Sequence, residues 1–410
     1  MTHHHILDGK KVSLLGYGAM RLPTMDGGHA NNWAADASKK GIDQELFNRQ
    51  IKSMLDAGVN YFDTSPAYCR GQSEACLGKA LKASGYDRES YIIATKLSNF
   101  SPTQYPLQDC KRMFERSLEA LQTTYIDNYL LHSVGNGGFA VFSKRYIENG
   151  ALDWCVELRR EKRIRNLGFS FHGDPKVFEW CMENHDRYRW DFCLIQMNYV
   201  DWLHAAETNK RNLNAKYLYD TLTAKNIPVV VMEPLLGGRL ARYNWALANA
   251  LTRLDPEASL AKWAFRFCGS FKNVMSVLSG MTLSQHIEEN IETFSPLKPC
   301  NEEEFAALEL AATDYLNLKT IPCNCCNYCM PCPYGLDIPQ LLTFRNVCLA
   351  SKEKLPARKI LRLYRKMIPE PLRRADHCTG CGRCNPHCPQ SIDIPREIAA
   401  IDSWIDELKN

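Results

Sequence analysis

The chain has 410 residues, long for one domain, so two are expected. Its 45% apolar and 23% charged residues exclude extended disorder, and a formal net charge of +4 excludes nucleic acid as a default partner. No apolar run approaches the ~18 residues of a membrane helix, and the polar start is not a signal peptide.

His3, His4 and His5 read as a solvated terminus. Compact apolar runs then follow at Val12–Gly16, Tyr61–Thr64, Tyr91–Lys96, Ile126–His132, Asn166–Phe171, Phe192–Met197, Val229–Met232 and Val274–Leu278. Each suits a parallel strand buried on both faces. Helical periodicity lies between and after them, for example at Gln44–Ala57, Glu74–Ala83, Leu107–Leu121, Trp154–Lys162, Lys176–Glu183, Ala258–Phe267 and Ser284–Phe294. Eight such repeats in about 300 residues predict a (β/α)8 TIM barrel over residues 1–300. A doubly wound sheet competes, but Gly16-Tyr17-Gly18-Ala19-Met20 is not a dinucleotide glycine turn. Residues 301–322 read as a helical connector, opened by Glu302-Glu303-Glu304 and closed at Pro322.

Active sites of barrels form at the C-terminal strand ends. Asp63, Lys96 and His132 end predicted strands two, three and four, and Tyr68 follows in the next loop. An ammonium beside a phenol favours the phenolate and lowers its pKa, which suits proton transfer to a carbonyl oxygen. Long loops after strands four, six and seven (residues 133–150, 201–217 and 238–253) carry Phe139, Phe142, Trp202, Tyr243 and Trp245, either as walls for an apolar or sugar ring or as surface packing.

Gly16-Tyr17-Gly18-Ala19-Met20-Arg21-Leu22, Asp63-Thr64-Ser65-Pro66-Ala67-Tyr68, Ala94-Thr95-Lys96 and Tyr129-Leu130-Leu131-His132 together resemble the aldo-keto reductase family. The resemblance covers about residues 10–295. It implies a barrel oxidoreductase acting on a small-molecule carbonyl substrate. Tyr68 would be the general acid, tuned by Lys96 and Asp63, and His132 would orient the carbonyl. It also implies NADP or NAD across the barrel top, touched by Ser170 and Gln196 at the nicotinamide, Gly237 and Gly238 at the pyrophosphate, and Glu289 and Asn290 at the adenine. The chain departs from the family where Phe171 follows Ser170, where Met232 replaces a stacking aromatic, and where Gly280 and His286 replace 2′-phosphate cations.

Eighteen cysteines are too many for an ordinary barrel, and ten fall between Cys323 and Cys388. Cys378, Cys381, Cys384 and Cys388-Pro389 have the C-x2-C-x2-C-x3-C-P spacing of bacterial [4Fe–4S] ferredoxins. Cys323, Cys326, Cys329 and Cys332-Pro333 repeat it one residue shorter. In such pairs the fourth cysteine crosses over. One cluster is therefore assigned Cys323, Cys326, Cys329 and Cys388, and the other Cys378, Cys381, Cys384 and Cys332. Cys325 and Cys348 are bystanders. The competing ligand set is two zinc ions.

Residues 323–410 thus read as a small, mainly α-helical ferredoxin-like domain, and such a tail resembles the iron–sulfur branch of the same family. Both cysteine runs lead into Asp-Ile-Pro, at Asp337 and Asp393, a helix-start signal. The spacer carries Arg358, Lys359, Arg362, Arg365, Lys366, Arg373 and Arg374. These read as a solvated helix face or as a docking patch for an acidic carrier such as a ferredoxin. The expected activity is NAD(P)H-linked carbonyl chemistry coupled to cluster electron transfer. The alternatives are a ferredoxin-linked reductase without nicotinamide, purely structural clusters, and a redox sensor with a relic site.

Overall fold

The computed structural model describes residues 1–27, 29–30, 41–241, 250–351, 355–368 and 374–409. Eight parallel strands close a barrel: β1 Leu15–Gly18, β2 Tyr61–Asp63, β3 Ile92–Leu97, β4 Ile126–Val134, β5 Ile164–Phe171, β6 Phe192–Gln196, β7 Val229–Met232 and β8 Val274–Ser279. The ring shuts where Val277 of β8 pairs with Leu15 of β1. Register aligns Asp63 with Ala94 and Lys96 with Leu130, so the polar ends of β2, β3 and β4 stand side by side. Tyr61, Ile92, Leu130, Phe192 and Met275 fill the cylinder, and a larger apolar shell joins the strands to the helices.

The predicted strands and helices are found, with ends shifted by a few residues. Ala215–Ala224 after β6 is a helix whose apolar period was too weak to foresee, and the stretches read as loops after β4 and β6 contain the helices Gly138–Phe142 and Asp201–Thr208.

The N-terminus corrects the sequence reading. His3–Leu7 is a strand, not a solvated tail, and pairs antiparallel with Lys10–Ser13. This takes Val12 out of β1 and buries it at the barrel's lower end. His4 Nδ1 donates to Val274 O at 3.2 Å and His5 Nε2 to Lys272 O at 3.0 Å. The hairpin is the stopper of the cylinder.

The helix Glu302–Asn317 starts in a reciprocal capping box between Asn301 and Glu304. Glu304 also pairs with buried Arg266 at 2.7 Å, and Leu308, Ala311 and Tyr315 pack into the barrel's own shell. Beyond it, helices Ile338–Leu349, Ala357–Met367 and Ile394–Glu407 enclose a separate core of Leu341, Phe344, Ile360, Tyr364, Ile398 and Ile401. Asp337 caps the first by accepting from Gln340 N at 3.1 Å. Asp393 does not cap in this way. It accepts from Asn385 Nδ2, while Asn385 Oδ1 takes the Ile394 N–H at 3.0 Å. Among the described residues no helix is long and apolar enough to cross a membrane.

Candidate active site

Parallel strands splay their C-terminal ends toward one mouth, and the four predicted side chains meet there. Lys96 is fully buried and donates to Asp63 Oδ1 at 2.5 Å and to Thr64 O at 2.7 Å. The turn Ser65–Ala67 brings Tyr68 over the pair, with its ring centroid 4.9 Å from Lys96 Nζ. The Tyr68 and His132 rings meet edge-on at 5.9 Å. His132 Nδ1 is 2.6 Å from Ser98 Oγ, which is itself 2.9 Å from Ser65 Oγ, and Phe100 flanks the ring. Among the described residues the Tyr68 hydroxyl makes no hydrogen bond. Buried Asp63 Oδ2 also lacks a protein partner.

The electrostatics correct one expectation. Tyr68 was expected to be acidified by Lys96, yet burial pushes its phenol well above the ordinary range, and Asp63, Tyr328 and Glu233 push the same way. The ammonium's charge is already directed to Asp63 and Thr64, so little is left for the phenol. Burial drives Asp63 up and Lys96 down, and their close contact opposes both shifts. It also lowers His132, helped by the charges of Lys96 and Arg145, so the imidazole is neutral at pH 7.

Beneath the mouth, Glu74 accepts from Thr95 Oγ1 at 2.6 Å, and burial raises its carboxyl to about 7. A folded pKa above the unfolded value gives stability that is complete below pH ~4.5 and lost as pH rises through ~7. The span corresponds to about 3 kcal/mol. Glu74→Gln removes this loss, so chemical unfolding at pH 5 and pH 8 will show the variant gaining on the wild type at the higher pH. An unchanged difference would contradict it.

The tetrad opens into a cavity of about 2190 Å³. Ser170, Gln196, Gly237, Gly238, Glu289 and Asn290 all line it, as do Met232, Gly280 and His286. Several are already engaged. Ser170 Oγ accepts from Ser133 N at 2.8 Å, Gln196 donates to Asp201 at 2.7 Å, and Asn290 donates to Ser279 Oγ at 3.1 Å. Glu289 accepts from Ser259.

Sequence reasoning missed several lining residues. Arg145 is buried and donates to His132 O at 2.7 Å, to Ser133 O and to Asn99, which fixes the end of β4. Partly buried His172, two residues past Ser170, is lowered to about 4 by desolvation. Its place at the end of β5 was the available signal. The aromatic loop residues divide differently. Trp202 packs on Phe271 at 4.5 Å and Phe142 on Trp180 at 5.2 Å, so both are packing residues, while Tyr243 and Trp245 lie outside the described residues.

The cysteine segment forms the roof. Cys326, Tyr328, Gln340, His387 and Gln390 line the same cavity as Tyr68 and Lys96. Asn324 fastens it: its O accepts from Arg21 at 2.8 Å, its Oδ1 from Arg239 at 3.1 Å, and its Nδ2 donates to Glu233 at 3.2 Å. Gly237, at φ 69°, lies beneath. A Cβ there would stand 2.7 Å from the Asn324 backbone. Gly237→Ala adds backbone strain to this clash and is expected to cost about 1–3 kcal/mol, read as a lower unfolding midpoint.

Among the described residues no three His, Cys, Asp or Glu side chains are gathered closely enough to hold a single metal ion. The thiols nonetheless fall into two neighbourhoods. Cys326 is raised to about 12 by burial, with Cys388 the neighbouring thiol. Cys384 is raised to about 11, with Cys381, Cys332 and Cys378 around it. A second cavity of about 360 Å³ is lined by Cys332, Cys378, Cys381 and Cys384, with Cys329 at its edge.

The sequence pattern of the Aldo/keto reductase family matches residues 15–312. L-galactose dehydrogenase of Arabidopsis thaliana is 26% identical over 322 residues, which cover 74% of this chain and 91% of that protein. An uncharacterized oxidoreductase of Bacillus subtilis, YqkF, is 26% identical over 278 residues, 63% of this chain and 85% of its own. In three dimensions the barrel is similar to the holo form of aldo-keto reductase AKR11C1 from Bacillus halodurans. The TM-score is 0.56 at 23% identity, over 74% of this chain and 93% of that one, a likeness of fold. The chain therefore belongs to the aldo/keto reductase family, and it is an oxidoreductase of that barrel type.

Proposed function

We propose that the barrel site interconverts a small-molecule carbonyl and its alcohol with NADP or NAD, and that the tail cysteines hold two [4Fe–4S] clusters for electron transfer. We divide the chain into a barrel (1–300), a helical connector (301–322) and a cluster domain (323–410). The observation that carries the catalytic reading is the buried Lys96–Asp63 pair beneath a Tyr68 hydroxyl that has no hydrogen-bond partner among the described residues.

Tyr68, held neutral, gives its proton to the carbonyl oxygen during reduction and recovers one during oxidation. Lys96 and Asp63 keep the phenol in place. Neutral His132, oriented through Nδ1 by Ser98, offers Nε2 to the same oxygen. Ser170 and Gln196 would hold a nicotinamide, which when bound would supply or accept the hydride. The fit is supported by a cavity continuous from His132 through Gly237 to Asn290. Its adenine end has Gly280, His286 and Glu289 in place of strong phosphate clamps.

For the clusters, the fit rests on the donor set. Both quartets are all-thiol, with spacing that wraps a cubane rather than a tetrahedral ion. When bound, the clusters carry electrons singly. The quartets proposed are Cys323, Cys326, Cys329 with Cys388, and Cys378, Cys381, Cys384 with Cys332.

One observation favours a second reading, a carrier-linked reductase without nicotinamide. Asn324 packs on Gly237, the glycine matched to the pyrophosphate loop. Anaerobic titration with NADH and NADPH separates the two. Carbonyl-dependent nucleotide oxidation supports the first reading. Failure of both nucleotides to bind would sink it in favour of the second.

A further inference from the structure

The two thiol neighbourhoods differ in what they face. Cys326 of the first quartet lines the cavity that holds Tyr68, Lys96 and His132. All four thiols of the second quartet line the smaller cavity, which Cys329 alone of the first quartet also lines, and Cys381 there is exposed. Tyr328, Pro331 and His387 line both cavities and are the wall between them. The first quartet is therefore the inner one and the second the outer one.

The outer quartet is tied to an unusual helix. Ala357–Met367 reads Ala-Arg-Lys-Ile-Leu-Arg-Leu-Tyr-Arg-Lys-Met, with no acidic residue. Ile360 and Tyr364 are buried, and the Tyr364 hydroxyl accepts from Ala375 N at 3.0 Å, three residues before Cys378. The opposite face carries Arg358, Lys359, Arg362, Arg365 and Lys366, all exposed. None of the five makes an ion pair among the described residues, and the helix offers them no acidic neighbour of its own. The charges of Asp376 and Asp402 act on Tyr364, and among the described residues neither makes an ion pair with any of the five. Arg373 lies outside the described residues.

A solvated helix usually interleaves both signs of charge, so five cations with no acid among them, on the helix that anchors the chain leading into Cys378, need another account. We propose that this helix is the docking surface for an acidic, one-electron redox protein, which exchanges electrons with the cluster of the outer quartet. The inference rests on the cluster reading above. In each encounter the reduced carrier loses one electron and the outer cluster gains it, with no bond formed or broken. Opposed charge steers the encounter and brings the carrier's centre over Cys381, and salt screens that attraction.

The test uses the full chain, purified without oxygen, and a chemically reduced acidic ferredoxin as probe. Bleaching of the clusters is followed by stopped flow between about 50 and 500 mM salt. The rate constant is expected to fall about tenfold or more across that range. The triple variant R358E/R362E/K366E should lose about tenfold at low salt and become insensitive to salt. Its iron content, its bleaching by dithionite and its carbonyl activity should stay at wild-type values. A charge reversal far away on the barrel, K82E, should behave as wild type.

Iron present with equal rates in wild type and triple variant overturns the docking surface alone. Wild-type protein without iron overturns the cluster reading and the docking with it. If the triple variant loses iron, R362E alone is measured, and a wild-type rate from it counts against the proposal.

Discussion

Tyr68→Phe will lower kcat for carbonyl reduction by about 100- to 10,000-fold, the usual worth of a positioned proton donor, and leave substrate KM within a few-fold. Among the described residues the Tyr68 hydroxyl has no hydrogen-bond partner, so removing it breaks no bond of the fold. Stability should therefore be unchanged, which separates the chemical loss from unfolding. Lys96→Met is the informative companion. It leaves Asp63 buried without its ion partner, and breaking such a pair costs about 3–5 kcal/mol. That variant should lose both turnover and unfolding free energy, measured by steady-state rates and by denaturant titration. A Tyr68→Phe enzyme that keeps wild-type kcat would remove the proton-transfer reading.

The second large effect concerns the tail. Cys326→Ala and Cys384→Ala should each remove one cluster and leave the other, so each halves the bound iron. Cys325→Ala and Cys348→Ala should keep all of it. Anaerobic metal analysis with low-temperature spin-resonance spectra of the reduced protein reads this directly. If Cys384→Ala spares the cluster that Cys332→Ala destroys, the crossover assignment fails. If the wild-type metal is zinc, the iron–sulfur reading fails as a whole.

Much of the barrel was legible because parallel strands buried on both faces leave compact apolar runs, as in Ile126–Val134. The site was legible because consecutive strands are neighbours in the ring, so residues at strand ends meet. What stayed hidden depends on burial and on distant contacts. The phenol of Tyr68 was expected to be acidic because the sequence reveals a lysine nearby. It does not reveal that Lys96 would be held by Asp63 and Thr64. The histidines of the N-terminal strand looked solvated because their partners, Lys272 and Val274, lie more than 260 residues away. Asn324, lying among the cysteines, gave no hint that it joins the two cores.

That last residue ties together two properties that are usually independent. The backbone bearing Asn324 runs between Cys323 and Cys326, two proposed ligands of the inner cluster. If the proposed cluster is bound there, oxygen damage to it would slacken the strap that Arg21, Glu233 and Arg239 hold over the Tyr68 cavity. An assay in air would then record a dead oxidoreductase although Tyr68, Lys96, Asp63 and His132 were all still intact. Such a preparation would regain turnover on anaerobic reconstitution with iron and sulfide, before any external electron donor was added.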